Sequence, residues 1–324
     1  MPPTLLLIRH AQAMHNISSD WSLHDPPLSD LGKQQCAELQ DSLRNTKIAD
    51  EVELIVVSPM RRTLQTAVLG LDWLINEKKV KVLPDAGWQE NADKPCDTGS
   101  PIPTIQSEFP QFDFSLLDPL YPDKTTSIHT NPYAFTKRAI LARGQNCLQS
   151  LYSRPEKAIA VVSHSDFLRA GVCNRRFFNA DWRIFDYDKE VIEESRRKRE
   201  GVDGKGFLLL KEWEETAEKG GGMGRSEKGI FRILSTDFPP KVEGEKEPAP
   251  EDSLLVVKIF SQGLHLGIYS VYVGTYDFAQ IIRLSIKAVN LVPQFVGVSL
   301  GVKLHTARII LMLNMILFDD PHLV

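Results

Sequence analysis

The chain is poor in cysteine, carries no excess of basic residues and lacks an uninterrupted apolar run of membrane-spanning length. Each shortage removes a class of protein. Its 324 residues hold four cysteines, Cys36, Cys96, Cys147 and Cys173. They are widely spaced and form neither a C-x-x-C pair nor a disulfide framework, so a reducing compartment is expected, the cytoplasm or the nucleus. No His-x-x-x-His and no clustered-carboxylate pattern offers a metal site. The formal net charge is −4, which gives no electrostatic footprint for nucleic acid. The N-terminus has no basic stretch followed by a long apolar one, and Arg9-His10 comes too early for a cleaved signal, so none is expected. There is no internal repeat.

What is present is one arrangement used three times. The apolar run Thr4–Ile8 stops at Arg9-His10 and continues Ala11-Gln12-Ala13-Met14-His15-Asn16. Glu53–Val57 stops at Ser58-Pro59-Met60-Arg61-Arg62-Thr63-Leu64-Gln65-Thr66, and Ala158–Val162 at Ser163-His164-Ser165-Asp166-Phe167-Leu168-Arg169. Continuous apolar runs of this length are expected of strands buried on both faces in a parallel sheet. Ligands of open α/β sheets bind beyond the carboxyl ends of strands, so the three ends would bring Arg9, His10, Arg62 and His164 to one rim. Arginine grips phosphate oxygens with a planar fork of donors. Neutral imidazole can attack phosphorus.

These segments, in this order, resemble the histidine phosphatase superfamily, also called phosphoglycerate mutase-like. Its usual Arg-His-Gly opening stands here as Arg9-His10-Ala11, and its Asn six residues after the nucleophilic His as Asn16. Its Ser-x-Leu-x-Arg-Ala-x-Gln-Thr motif fits Ser58–Thr66, with Met60 for Leu and Thr63 for Ala; that alignment selects Arg62 over Arg61, which reads as a surface or structural charge. The second His matches His164. The family's proton donor falls between these motifs, and Glu90 in Gly87-Trp88-Gln89-Glu90 is the choice, with Asp93 and Asp97 as runners-up. Pro95-Cys96-Asp97-Thr98-Gly99 resembles a fungal and plant branch. The resemblance covers residues 4–186. Ala11 is its main departure, because glycine there would permit a positive φ and close backbone approach to phosphate.

The resemblance implies a three-layer α/β/α sandwich with a mostly parallel central sheet, and the composition adds a C-terminal extension to it. It implies a phosphomonoester hydrolase in which His10 becomes phosphohistidine. Arg9, Arg62 and His164 would surround the phosphoryl oxygens, Asn16 would add a hydrogen bond, and backbone N–H groups from Ser165 onward would add more. Glu90 would protonate the leaving oxygen and then activate water, which requires its pKa to be raised. Arginines and imidazole supply the positive charge, so no metal and no cofactor is required. The partner is a small phosphorylated substrate, with phosphoproteins open and nucleic acid not expected. Two alternatives remain: mutase-type phosphotransfer, and a catalytically weak phosphate-binding module on the same fold. His15, His24 and His129 read as surface or loop histidines.

The connecting text predicts a helix from Leu28–Gly32 to about Arg44, capped by Ser29 or Asp30. A second helix opens at Pro59 and runs to about Asn76, and a short strand covers Lys79–Leu83. Residues 98–132, rich in Pro, Ser and Thr, read as a long excursion over the site. A helix spans Asn131 to about Ser153, and Asp181–Asp186 reads as the final edge strand. Lys189–Glu200 reads as a charged helix with a Glu193–Arg197 pair. Gly220–Arg225 reads as a flexible linker.

The domains expected are a catalytic domain over 1–238, a disordered linker over 239–253 and an apolar extension over 254–324. From Ser253 onward there are only eight charged residues. Leu284–Val302 approaches the length of a membrane span but is interrupted by Lys287, Asn290, Pro293 and Gln294. Three readings of this tail stay open: a membrane-associating segment, an extra packed element, or sequence that never served as protein.

Overall fold

Alternate residues of the apolar runs bury against opposite sides of one sheet, which is why runs with no polar face become strands. The computed structural model describes residues 1–198, 200, 206–231, 233, 234 and 237–239, together with the backbone of 259–261 and 269–271. Strands β1 (Thr4–Arg9), β2 (Val52–Val57), β3 (Lys81–Pro84), β4 (Ala158–Ser163), β5 (Trp182–Tyr187) and β6 (Leu210–Glu212) form a sheet in the order β3-β2-β4-β1-β5-β6. The first four in that order are parallel; β5 and β6 are antiparallel additions.

The main helices are α1 (Met14–Ser18), α2 (Asp30–Leu43), α3 (Lys47–Glu51), α4 (Arg61–Gly70), α5 (Ile102–Glu108), α6 (Lys137–Tyr152), α7 (Ser165–Phe167), α8 (Lys189–Arg197) and α9 (Glu214–Lys219). On one face of the sheet Leu6, Ile8, Ile55, Val57, Ala160 and Val162 pack with Leu39, Leu43, Leu64 and Ala67 of α2 and α4. On the other, Leu5, Leu7, Leu54, Val56, Ile159 and Val161 pack with Cys147, Leu148 and Leu151 of α6. The period of two along each strand thus builds the expected three layers.

Helix α2 is the one the sequence outlines, capped by Ser29, whose side chain accepts the Gly32 N–H at 2.9 Å. Elsewhere the boundaries move for local reasons. Helix α4 stops at Gly70, where a Cβ would lie 2.8 Å from the Leu39 side chain. The chain then makes a π-helical turn over Trp73–Glu77 instead of one helix to Asn76. Helix α6 begins at Lys137, six residues late, because Thr136 caps it by accepting the Ala139 N–H. Asn131 spends its amide on the carbonyls of Asp123 and Thr126. The 98–132 excursion is not simply draped over the site: Ile105, Phe109, Phe112, Phe114, Leu117 and Tyr121 are buried in the core. Strand β5 is not an edge, since β6 pairs beyond it. The charged helix ends at Arg197, and its i,i+4 ion pair is Glu194–Lys198 at 2.6 Å.

The expected linker at Gly220–Arg225 is a fixed turn. The Asp181 carboxylate accepts hydrogen bonds from the N–H groups of Met223 and Arg225 and from the Ser226 hydroxyl, at 2.9, 3.3 and 2.7 Å. Gly220, Gly221 and Gly224 take positive φ, and a Cβ on Gly221 would lie 2.3 Å from Asp181 Oδ2. Gly221→Ala is therefore expected to destabilise the protein by about 2 kcal/mol, from strained backbone plus displacement of a buried carboxylate. Thermal or denaturant unfolding checks this; an unchanged midpoint would show the turn to be loose.

Contacts divide the chain into residues 1–247 and 248–324. The second unit contains an antiparallel pair, Ile259–Ser261 with Tyr269–Val271. Apart from Pro239 and that pair, the linker and the three readings of the tail lie outside the described residues. Among the described residues, no helix is long and apolar enough to cross a membrane.

Candidate active site

Sheet register assembles the site. Arg9 stands opposite Ser163 in the β1–β4 pair, and Val57 opposite Val162 in the β2–β4 pair. The next residues, His10, Ser58 and His164, therefore emerge together beyond the carboxyl ends of three parallel strands. Backbone bonds lock the exits: His10 N–H donates to Ser163 O and Ser58 N–H to Val162 O, both at 3.0 Å.

His10 is buried, and its Nδ1–H donates to the Ala11 carbonyl at 2.7 Å. That bond fixes the tautomer and leaves the lone pair on Nε2, where the Arg62 Nε–H donates at 3.2 Å. Burial pushes the His10 pKa well below its ordinary value, and the Arg62 and Arg9 charges push it the same way, so the ring is neutral at pH 7. Ala11 is buried, does not take positive φ, and donates its N–H to Thr66 Oγ1 at 3.0 Å. The glycine of the usual motif is not required by this backbone.

Arg62 is completely enclosed. Besides His10 it donates to the Cys96 carbonyl at 2.6 Å and to Asp97 Oδ1 at 3.2 Å. Arg61 points elsewhere, bidentate to Glu108 at 2.7 Å, and its backbone N–H donates to buried Asp25. Alignment and structure agree that Arg62 is the one beside His10. The His164 ring lies 5.2 Å from that of His10, and its Nε2 is hydrogen-bonded to Ser58 Oγ at 2.8 Å. Burial holds its pKa well below normal too. Arg9 donates to the Phe177 carbonyl at 2.8 Å and, with Ser165, lines a cavity of about 320 Å³.

Glu90 is buried, and its Oε1 accepts the N–H groups of Asn91 and Phe167, both at 2.9 Å. Its Oε2 accepts the Asp166 N–H at 3.3 Å. Two N–H groups at the start of α7, expected for phosphate, are thus occupied by this carboxylate. Burial, reinforced by the charges of Asp166 and Asp97, raises the Glu90 pKa to about 7. Asp93 is exposed, whereas Asp97 is half-buried against Arg62.

Asn16 does not stand free for phosphate. Its Oδ1 accepts the Ala13 N–H at 3.0 Å, so its Nδ2 is the donor to His15 Nε2 at 3.0 Å. His15 is not a surface residue: it is buried, its ring 6.3 Å from His10 and 5.8 Å from Trp21, and burial lowers its pKa to about 3. His24 and His129 are exposed, as expected. Arg9 Nε, His15 Nδ1 and His164 Nδ1 are buried without a partner among the described residues. Such groups call for a ligand or water.

Two cations were not anticipated. Arg143 of α6 donates to the Gln89 carbonyl and to Asn91 Oδ1, both at 2.8 Å, and lies 4.1 Å from the Phe167 ring centre. A charge on the stripe formed by Ile140, Cys147 and Leu151 was the available signal. Lys124, from the excursion, is buried and donates from Nζ to the carbonyls of Glu90 and Ala92 at 2.8 Å and to that of Asp97. No periodicity announces it.

The family model for the histidine phosphatase superfamily (branch 1) matches residues 5–189, and the chain belongs to that superfamily. A Schizosaccharomyces pombe protein named "Probable phosphatase" is 32% identical over 170 residues, covering 51% of this chain and 76% of that one. A phosphoglycerate mutase-like protein of Arabidopsis thaliana is 29% identical over 198 residues, covering 51% and 72%. Among solved structures, a mycobacterial glucosyl-3-phosphoglycerate phosphatase is similar at 18% identity, covering 65% of this chain and 97% of that one, with a TM-score of 0.38.

Proposed function

We propose that this chain hydrolyses phosphomonoesters through a phosphohistidine on His10. The observation that carries the reading is the state of the His10 ring: neutral, anchored through Nδ1–H to Ala11, with its Nε2 lone pair beside the Arg62 guanidinium. In the first step the Arg62 Nε–H passes from His10 to a phosphoryl oxygen, the freed Nε2 lone pair attacks phosphorus, the bond from phosphorus to the ester oxygen breaks, and that oxygen takes the proton of the Glu90 carboxyl. The Ala11 carbonyl receives a stronger hydrogen bond as the ring gains positive charge. In the second step the Glu90 carboxylate accepts a proton from water as the water oxygen attacks phosphorus. The N–P bond breaks, returning neutral His10, protonated Glu90 and inorganic phosphate.

Arg9, Arg62 and the unpartnered Nδ1 of His164 carry the charge stabilisation, which is the larger share of catalysis in phosphoryl transfer. The phosphoryl group takes the place of Asp97 on Arg62. Asn16 contributes through His15: its amide fixes Nε2 as an acceptor, so the ring proton sits on Nδ1, a neutral donor buried without a partner on a ring 6.3 Å from that of His10.

The test is release of inorganic phosphate by the full chain from a panel of phosphomonoesters in EDTA. Turnover is expected. A folded protein that binds vanadate but releases no phosphate from any ester would leave only a binding module, and isomerised phosphate ester without release would indicate mutase-type transfer.

A further inference from the structure

The excursion of residues 98–132 returns one buried ammonium to the underside of the acid loop. We propose that Lys124 is a positioning residue: its ammonium ties the carbonyls of Glu90, Ala92 and Asp97 together and so holds the Glu90 carboxyl against the phosphoryl site. This rests on the reading of Glu90 as the acid.

Three observations lead to it. Lys124 is only 3% exposed, yet its hydrogen-bond acceptors are backbone carbonyls and none is a carboxylate. A buried cation without a directly bonded counter-ion is costly, and an apolar side chain would pack there without that cost. What the ammonium supplies is convergence. Three donors on one atom draw together three carbonyls spread over Glu90–Asp97, a segment whose only regular structure is the short turn Pro95–Asp97. Two of the three carbonyls belong to the residues that matter most in that loop: Glu90, held by the N–H groups of α7, and Asp97, held on Arg62.

Arg143 secures only the near end, through Gln89 O and the Asn91 side chain. Lys124 secures the far end and ties it to the near one. Burial, with the Arg143 and Arg62 charges acting the same way and Asp97 and Glu90 opposing them, lowers the Lys124 pKa to about 7, so the three-donor ammonium is the form present below that value; Asp166 acts on Glu90. The excursion therefore has a catalytic purpose besides any part in choosing substrates.

The experiment compares kcat/KM of full-length wild type and Lys124→Met on an alkyl phosphate and on p-nitrophenyl phosphate, because kcat/KM reports the step in which the ester bond breaks. With the acid misplaced, the alkyl ester, which needs its leaving oxygen protonated, is expected to lose about 100-fold, and the aryl ester less than about fivefold. Equal losses, or no loss on either, overturn the proposal, since general destabilisation lowers both alike. The unsubstituted protein provides an independent measurement: the Lys124 Nζ resonance in ¹⁵N-lysine-labelled protein is expected to shift when vanadate binds. An Nζ signal indifferent to bound vanadate also overturns it. Wild type that binds vanadate but hydrolyses nothing fails the functional reading instead, and the Nζ shift then decides for the strut alone.

Discussion

His10→Ala is expected to lower phosphate release at least about 10³-fold on every ester tested, because on the proposed mechanism it removes the atom to which the phosphoryl group is transferred. The loss should be insensitive to the leaving group, since no covalent intermediate forms with either a good or a poor one. It should not be accompanied by unfolding. The His10 ring is buried and already neutral, so the alanine variant strands no charge, and the two hydrogen bonds it breaks are the one to the Ala11 carbonyl and the one from Arg62 Nε–H. Arg9 and Arg62 remain, so the variant should still bind inorganic phosphate. Rapid quenching of wild type in base with labelled substrate should trap a phosphoenzyme that survives base and is lost on acid treatment, and His10→Ala should trap none. A variant that keeps a tenth of wild-type turnover would place the nucleophile elsewhere.

The parts of this machine that could be read in the sequence are those governed by short-range order. β1, β2 and β4 are legible because burial on both faces erases the polar alternation of ordinary strands, and the residues at their ends are legible because the apolar run stops abruptly. Arg9, His10, Arg62 and His164 meet because parallel register aligns those ends. Residues whose partners are backbone groups far away in the chain were not legible. Lys124 bonds to carbonyls 27 to 34 positions upstream, and nothing in Pro122-Asp123-Lys124-Thr125 signals it. His15 is buried between the rings of His10 and Trp21, a tertiary arrangement that its local sequence does not announce. The glycines at 220–224 look like a linker until Asp181, 40 residues earlier, supplies the acceptor that organises them. Composition misled in 98–132 as well: Pro, Ser and Thr suggested an open loop, whereas the scattered Phe and Tyr side chains were the ones that decided its burial.

Glu90→Gln separates the acid from every other role. On the proposed mechanism the protonated carboxyl is the form that donates to the leaving oxygen, and burial raises its pKa to about 7. The active form is thus present below that value and lost above it, so wild-type kcat/KM on an alkyl phosphate should fall as pH rises through about 7. Glutamine keeps the size and can still accept the N–H groups of Asn91 and Phe167, but it has no proton to give. The variant should lose about 10²- to 10⁴-fold in kcat/KM on alkyl esters and much less on p-nitrophenyl phosphate, and its alkaline limb should vanish. Because the same group activates water, p-nitrophenyl phosphate should give one rapid equivalent of nitrophenol per enzyme, followed by slow turnover. Asp97→Asn is the necessary companion, since Asp97 also touches Arg62 and lies in the same loop. If the leaving-group dependence and the lost limb appear in Asp97→Asn and not in Glu90→Gln, the acid is Asp97, and the hydrogen bonds that α7 and Asn91 give to Glu90 serve only to anchor the loop.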